Sequence, residues 1–426
     1  MCSAPEDSAD GNPDFLKFAR RAATSATMAV GPRATRFWSI FKQSLVTLLV
    51  DVGGLAAGVI VASNLDLVGM APWTIMLYPA IISMRGTIGG VFSGHYSTGL
   101  HLGTMQPRVL GNTNRFNDLI VTVLSLNLIA CGMLWIVASL ILTALSVDPV
   151  PMLILLVGTT GLSFAAIAPA SVKIISFGFK RGLDPDVSCY PIESTVADVA
   201  VTICYIILLR LYVSLGEVGL TAIAAFDVMY VAAVVMLSIP RIGKPDYVTT
   251  IKESAAALSV SSVLVNLTGV MLVDVTDVIR RAALVYMMYP ALIDTAGDVG
   301  AIVGSMMTTK FHLGEVSPSL RGIGRISPEI RASWLASLVM YEVYGFMAWL
   351  TFASSELSVL PTVSLILLTT NIMAVLAVVA AAFATGVLTY TKGLNPDSFV
   401  IPIESALADS LTTLSLYVSI KALGIV

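Results

Sequence analysis

From about position 41 onward, apolar residues run in stretches of twenty or more, broken only by short polar clusters. The pattern predicts eleven helical spans at about 41–63, 70–97, 117–145, 150–178, 187–214, 219–240, 251–274, 285–310, 332–355, 360–389 and 397–423. Each is long enough to cross roughly 30 Å of hydrocarbon at about 1.5 Å of rise per residue. Spans 70–97 and 285–310 are unusually polar for their length. The expected fold class is an all-α integral membrane protein. Soluble globular folds are excluded.

The apolar pattern repeats. Tyr78-Pro79-Ala80-Ile81-Ile82 returns as Tyr289-Pro290-Ala291-Leu292-Ile293, and His101-Leu102-Gly103 as His312-Leu313-Gly314. Leu183-Asp184-Pro185-Asp186 returns as Leu394-Asn395-Pro396-Asp397. Pro191-Ile192-Glu193-Ser194 through Asp198 returns as Pro402-Ile403-Glu404-Ser405 through Asp409. All pairs stand 211 positions apart, an offset that chance does not hold over a hundred residues. Four segments follow: an arm at 1–40, a first repeat at 41–215, a linking span and loop at 216–250, and a second repeat at 251–426. Five spans form one unit, so a direct fusion would invert the second copy. The linking span crosses once more, which predicts two parallel five-helix repeats about a pseudo-two-fold along the membrane normal.

Composition agrees with the pattern. Charged residues make up 12% of the chain, against about 25% in soluble domains, and apolar residues 56%. With the N-terminus inside, nineteen basic residues fall on inside segments and four on outside ends, with Arg85 within a span. The positive-inside rule then places the N-terminus in the cytoplasm and the C-terminus outside, in a multi-pass cell-membrane protein. The arm, with Phe37 and Trp38 near its end, reads as an interfacial anchor, with no cleavable signal peptide. Cys2, Cys131, Cys189 and Cys204 form no CxxC and read as small core residues.

Ionisable residues inside spans are the candidate chemistry, because a charge at mid-membrane costs at least about 2.5 kcal/mol unless water, a partner or an ion answers it. Asp198 and Asp409 lie about a dozen residues into equivalent spans, so a parallel pseudo-dimer brings them together. Two bare carboxylates repel, and a cation between them removes the repulsion. Magnesium keeps much of its water and is often held by one or two carboxylates. Ser194 and Thr202 flank Asp198 by four residues on each side, as Ser405 and Thr413 flank Asp409; such hydroxyls suit an ion's water shell. The structural alternative is that both aspartates bond neighbouring helix ends. Glu193 and Glu404 each follow a proline at the start of a span, where helix capping and an inner ion vestibule explain them equally well. Asp294 and Asp298 stand one turn apart on one face. Their first-repeat counterparts are Ser83 and Thr87, with Arg85 between. Gly90 with Gly94, and Gly300 with Gly304, form GxxxG pairs that permit close helix approach. Asp51, Asp227 and Glu342 read as structural or interfacial.

At these residues the chain resembles the membrane domain of MgtE magnesium channels, and still more their two-repeat eukaryotic relatives, solute carrier family 41. The pattern of an acidic or amide residue, Pro and Asp, followed by proline, hydroxyls and an aspartate, stands as Asp184-Pro185-Asp186, Pro191, Ser194-Thr195 and Asp198. It stands again as Asn395-Pro396-Asp397, Pro402, Ser405 and Asp409. The glycine-rich second helix stands as Arg85-Gly86-Thr87 and Ala296-Gly297-Asp298. The resemblance covers roughly 41–426. It implies a Mg²⁺-selective path between the repeats, lined by the second and fifth helices of each, with Asp198 and Asp409 as the central site. The large N-terminal domain and CBS pair of MgtE have no counterpart in the forty-residue arm.

The expectation is therefore a divalent-cation transporter carrying Mg²⁺, other divalent ions being admitted. The metal site is drawn from Asp198, Asp409, Asp294, Asp298, Glu193, Glu404, Ser194, Ser405, Ser83 and Thr87. The alternative is a Na⁺- or H⁺-coupled exchanger of different metal preference. An enzyme is not expected: no nucleophile–base constellation exists, and His95, His101 and His312 have no Cys or acidic ligand pattern nearby. The expected partners are the cation and the lipid bilayer, without nucleic acid, and one chain suffices as a pseudo-dimer. Arg85 is expected to pair across the interface with Asp298 or Asp294.

Overall fold

The computed structural model describes residues 33–181, 190–278, 282–312, 316–319, 323–354, 356–392 and 396–423. All secondary structure among them is helical. The first span is interrupted: α1 (Arg33–Leu48) passes through a 3₁₀ turn, Leu49–Gly53, into α2 (Gly54–Ala62). The short α3 (Leu65–Val68) leads to α4 (Pro72–His101), α5 (Asn114–Ala144), α6 (Val150–Lys180) and α7 (Tyr190–Leu215). The linking helix α8 (Glu217–Ser238) precedes α9 (Pro245–Val278), α10 (Ala282–His312), α11 (Ile323–Phe352), α12 (Val359–Thr391) and α13 (Pro396–Ala422). Among the described residues, nine helices are long and apolar enough to cross a membrane, the α1–α2 segment counted as one. The expected count of eleven needs α10 and α13 in addition. Those two are as long as their neighbours, and they carry Asp294, Asp298 and Asp409.

Local chemistry sets the helix starts. Pro72 occupies the first turn of α4, where its missing N–H costs nothing, and the Thr74 hydroxyl donates to the Val68 carbonyl at 2.6 Å. Thr113 caps α5 by accepting from the Phe116 amide at 3.4 Å. Pro79 and Pro290 interrupt α4 and α10 at the same register, as membrane helices tolerate when neighbours supply bonding partners.

The repeats interlock. The first span of each packs on the second span of the other: α2 against α10, and α9 against α4. A Cβ at Gly58 would lie 2.0 Å from the Met287 carbonyl oxygen, and one at Gly269 would lie 3.1 Å from the Met76 backbone. Gly58 and Gly269, like Met76 and Met287, stand 211 positions apart, so one crossing is the pseudo-symmetric image of the other. The rings of Tyr78 and Tyr289, another such pair, face each other at 6.5 Å. Close approach therefore occurs at these glycines. It does not occur at Gly94 of the expected GxxxG, which meets nothing within 4 Å.

Polar ties fasten the helix ends. Arg210 donates to Asn64 at 2.5 Å, and Lys421 pairs with Asp274 at 3.0 Å, joining first to fifth spans in both repeats. Asp118 on α5 holds Arg241 at 2.8 Å and Lys244 at 2.5 Å, anchoring the exit of the linking helix. That helix turns Val228, Met229, Val235 and Met236 outward, a surface suited to lipid, while Asp227 is buried against Gly158 of α6. Glu342 accepts from Ser364 at 2.6 Å, joining α11 to α12. Glu342 and Asp227 thus serve helix packing, as expected.

Candidate functional site

Four helices carry the candidate side chains: α4 and α7 from the first repeat, α10 and α13 from the second. α4 packs closely on α13, whereas α7 and α10 make far less contact. Asp198 is fully buried on α7. Its Oδ1 accepts from Arg85 Nη2 of α4 in a buried ion pair, and Arg85 Nη1 donates to Ser194 Oγ at 3.1 Å. Ser194 in turn lies 3.4 Å from Asp294 Oδ1, donating across the repeat interface. Asp409 on α13 lies beside Ser83 and within electrostatic reach of Asp294 and Arg85. Asp198, Arg85, Ser194 and Asp294 thus form one hydrogen-bonded chain across the interface, with Asp409 and Ser83 beside it.

Asp298 is buried one turn beyond Asp294. Asp51, expected to be structural or interfacial, lies beside these aspartates. It sits in the 3₁₀ turn, 1% exposed, accepts from Thr295 Oγ1 at 2.8 Å, and feels the charges of Asp298 and Asp294. Its position is Ser262 in the second repeat, where α9 runs through unbroken. The sequence did carry a signal: Asp51 lies mid-span, two residues before the Gly53-Gly54 pair.

Three expectations change. Arg85 pairs with Asp198 of its own repeat, not with Asp298 or Asp294, because Asp198 lies directly across from it on α7. Thr87 Oγ1 donates to the Ser83 carbonyl at 3.2 Å within its own helix. Thr413 likewise serves its own helix, donating to the Asp409 carbonyl at 2.7 Å, and bonds the Tyr289 hydroxyl at 2.9 Å. Each of these two hydroxyls thus spends its proton within its own helix and has only acceptor capacity left for an ion's water. Glu193 turns into its own repeat, accepting from Ser171 on α6 at 2.7 Å. The side chains of Glu404 and Ser405 lie outside the described residues, as do Asp184, Pro185 and Asp186. His101 bonds its own helix at the Ser97 carbonyl, 3.0 Å away, and packs edge-on to Phe179.

The donor set suits a hard cation. Carboxylates and hydroxyls are the oxygen ligands that Mg²⁺ and Ca²⁺ take. Among the described residues, Asp198 Oδ2, Asp294 Oδ2 and Asp298 Oδ2 are buried without a hydrogen-bond partner. Such atoms are expensive to leave unanswered. No three His, Cys, Asp or Glu side chains among the described residues converge to chelate one metal ion.

Comparison with known proteins agrees with this chemistry. The family model MgtE, described as a divalent cation transporter, matches residues 78–208 and 289–419, one match per repeat. A curated relative, solute carrier family 41 member 2 of Xenopus laevis, is 24% identical over 453 aligned positions, covering 100% of this chain and 78% of that protein. No solved structure matches the chain.

Proposed function

This chain belongs to the MgtE family of divalent cation transporters, and we propose that the ion it carries is Mg²⁺, moving along the interface of its two repeats. It is a membrane transporter and not an enzyme. The path runs between α4 and α7 of one repeat and α10 and α13 of the other. The observation that carries this reading is the cluster of buried aspartates with unpartnered oxygens, Asp198, Asp294 and Asp298, beside Asp409. A partly hydrated Mg²⁺ answers those oxygens through its water and needs no closed cage of ligands. Asp198, Asp294 and Asp409 hold the ion at the centre, with Ser83 and Ser194 ordering its water; Asp51 and Asp298 extend the negative potential along the path.

The protein resides in the cell membrane with its N-terminus in the cytoplasm, an orientation supported by the basic residues of the inside segments. One chain supplies both halves of the path. The test is uptake by purified protein in vesicles. Mg²⁺ should enter protein-containing vesicles and not protein-free ones, and Mn²⁺ and Co²⁺ should compete less well. Absence of Mg²⁺ uptake, with another divalent ion carried instead, would replace the ion in this proposal.

A further inference from the structure

Behind the interface, inside the first repeat, a cavity lies between α4, α5, α6 and α7. Arg85 and Glu193 both line it, alongside Asn127, Thr160, Ser163 and Ser171. Glu193 is 2% exposed; its Oε1 accepts from Ser171, and its Oε2 has no partner among the described residues. Arg85 spends Nη2 on Asp198 and Nη1 on Ser194, and its Nε is likewise buried without a partner. The two side chains lie within electrostatic reach of each other. One guanidinium thus lies near two buried carboxylates, Glu193 in the cavity they share and Asp198 outside it, and hydrogen-bonds only Asp198.

We infer that Arg85 is a tethered counter-ion that an arriving divalent cation displaces from Asp198, and that Glu193 is the second berth to which its guanidinium moves; this rests on the ion-site reading above. A guanidinium stays charged under all ordinary conditions, so it leaves Asp198 only for another anion. With Arg85 on Asp198, Asp198 is answered and Glu193 is left short of a counter-charge. With a divalent ion beside Asp198, Asp294 and Asp409, the ion repels the guanidinium, and Glu193 accepts it. Both carboxylates are then paired, and no buried charge is stranded during the exchange. The cavity gives the side chain room to swing without opening the helix packing.

The device occurs once. At the 211-residue offset Arg85 becomes Ala296, Ser163 becomes Ala374 and Ser171 becomes Ala382, so the second repeat has neither the cation nor the hydroxyls around the berth. Asp409 therefore has no arginine of its own repeat to shed. Ion entry is set by one latch on one side of the pseudo-two-fold.

Calorimetric titration of Mg²⁺ into the purified full chain tests this, using wild type, Arg85→Gln, Glu193→Gln and the double variant. Removing the guanidinium should tighten Mg²⁺ binding about tenfold, equivalent to about 1.4 kcal/mol. Glu193→Gln, which removes the berth and leaves the latch on Asp198, should weaken it about fivefold, an effect of about 1 kcal/mol. In the double variant the Glu193 substitution should add almost nothing, because no guanidinium needs a berth; that non-additivity is what a merely structural glutamate would not produce. Equal effects of Glu193→Gln in both backgrounds, or no tightening in Arg85→Gln, would overturn the inference. Should Arg85→Gln fail to fold, Arg85→Lys keeps the charge but loses the fork, and should tighten Mg²⁺ binding to a smaller degree; unchanged affinity there overturns the latch equally. Absence of any Mg²⁺ heat in wild type would strike the ion-site reading itself, while Mg²⁺ binding indifferent to Arg85 strikes the latch alone.

Discussion

The walls formed by α4 and α10 are images of one another in backbone and opposites in charge. Position by position, Ser83 corresponds to Asp294, Arg85 to Ala296 and Thr87 to Asp298 at the 211-residue offset. The first-repeat wall thus carries one positive charge where the second carries two negative ones. The packing that holds the walls is conserved between them: Gly58 lies under Met287, and Gly269 lies under Met76. Duplicated helices keep their contacts because a backbone crossing at that distance admits only glycine. Side chains facing the interface are under no such steric demand and are free to diverge. Symmetry of scaffold does not bring symmetry of side chains: the duplicated backbone carries opposite charges on its two copies.

The comparison breaks most visibly at its carboxylates. Asp294→Asn or Asp409→Asn should lower Mg²⁺ flux about a hundredfold, because each removes one of the few charges that answer the ion, and a hundredfold corresponds to about 2.8 kcal/mol of lost ion stabilisation. Ser83→Ala on the other wall should cost no more than about 1.5 kcal/mol, the net worth of a hydrogen bond. Flux measurements on the three variants in vesicles check the ranking, and equal losses would mean that the walls are equivalent after all.

The scaffold half of the comparison is sharpened by Gly58. Gly58→Leu forces a side chain onto the Met287 backbone and should destabilise the folded protein by about 1–3 kcal/mol or more. Gly94→Ala, at a helical glycine with nothing within 4 Å, should raise stability by about 0.5–1 kcal/mol. Thermal melts in detergent distinguish the two. A smaller effect is expected at Thr295→Val, which strips Asp51 of its hydroxyl donor and should cost about 1 kcal/mol, the net worth of one hydrogen bond. The corresponding first-repeat position, Met84, has no acidic partner to lose. The smallest effect belongs to Asp118→Asn at the exit of the linking helix. Its ion pairs are partly exposed and should contribute below about 1 kcal/mol, less still at high salt.

Much of this was legible in the sequence because membrane helices announce themselves by length and apolarity, and because a duplication reveals which positions correspond. Asp198, Asp294, Asp298 and Asp409 stood out as charges where charges are costly. Arg85 stood out too, yet its partner was misread: counting charges by repeat suggested the acid-rich opposite wall, while geometry put Asp198 of the same repeat nearest. Asp51 escaped because its role depends on a 3₁₀ turn that points it at Thr295, and no periodicity encodes that turn. Gly94 was misread for a similar reason. A GxxxG spacing says that a helix can be approached, whereas Gly58 and Gly269 are where a neighbour arrives. The cavity that joins Glu193 to Arg85 is a product of four packed helices and has no signature in any one of them.

The most direct measurement locates the ion. Mn²⁺ can stand in for Mg²⁺, and anomalous scattering from crystals grown with it marks its position. The account predicts a peak at the repeat interface within a water's reach of Asp294 and Asp409 and beside Asp198. A peak confined to the helix ends, or an interface without one at Mn²⁺ concentrations that compete with Mg²⁺ uptake, would contradict it.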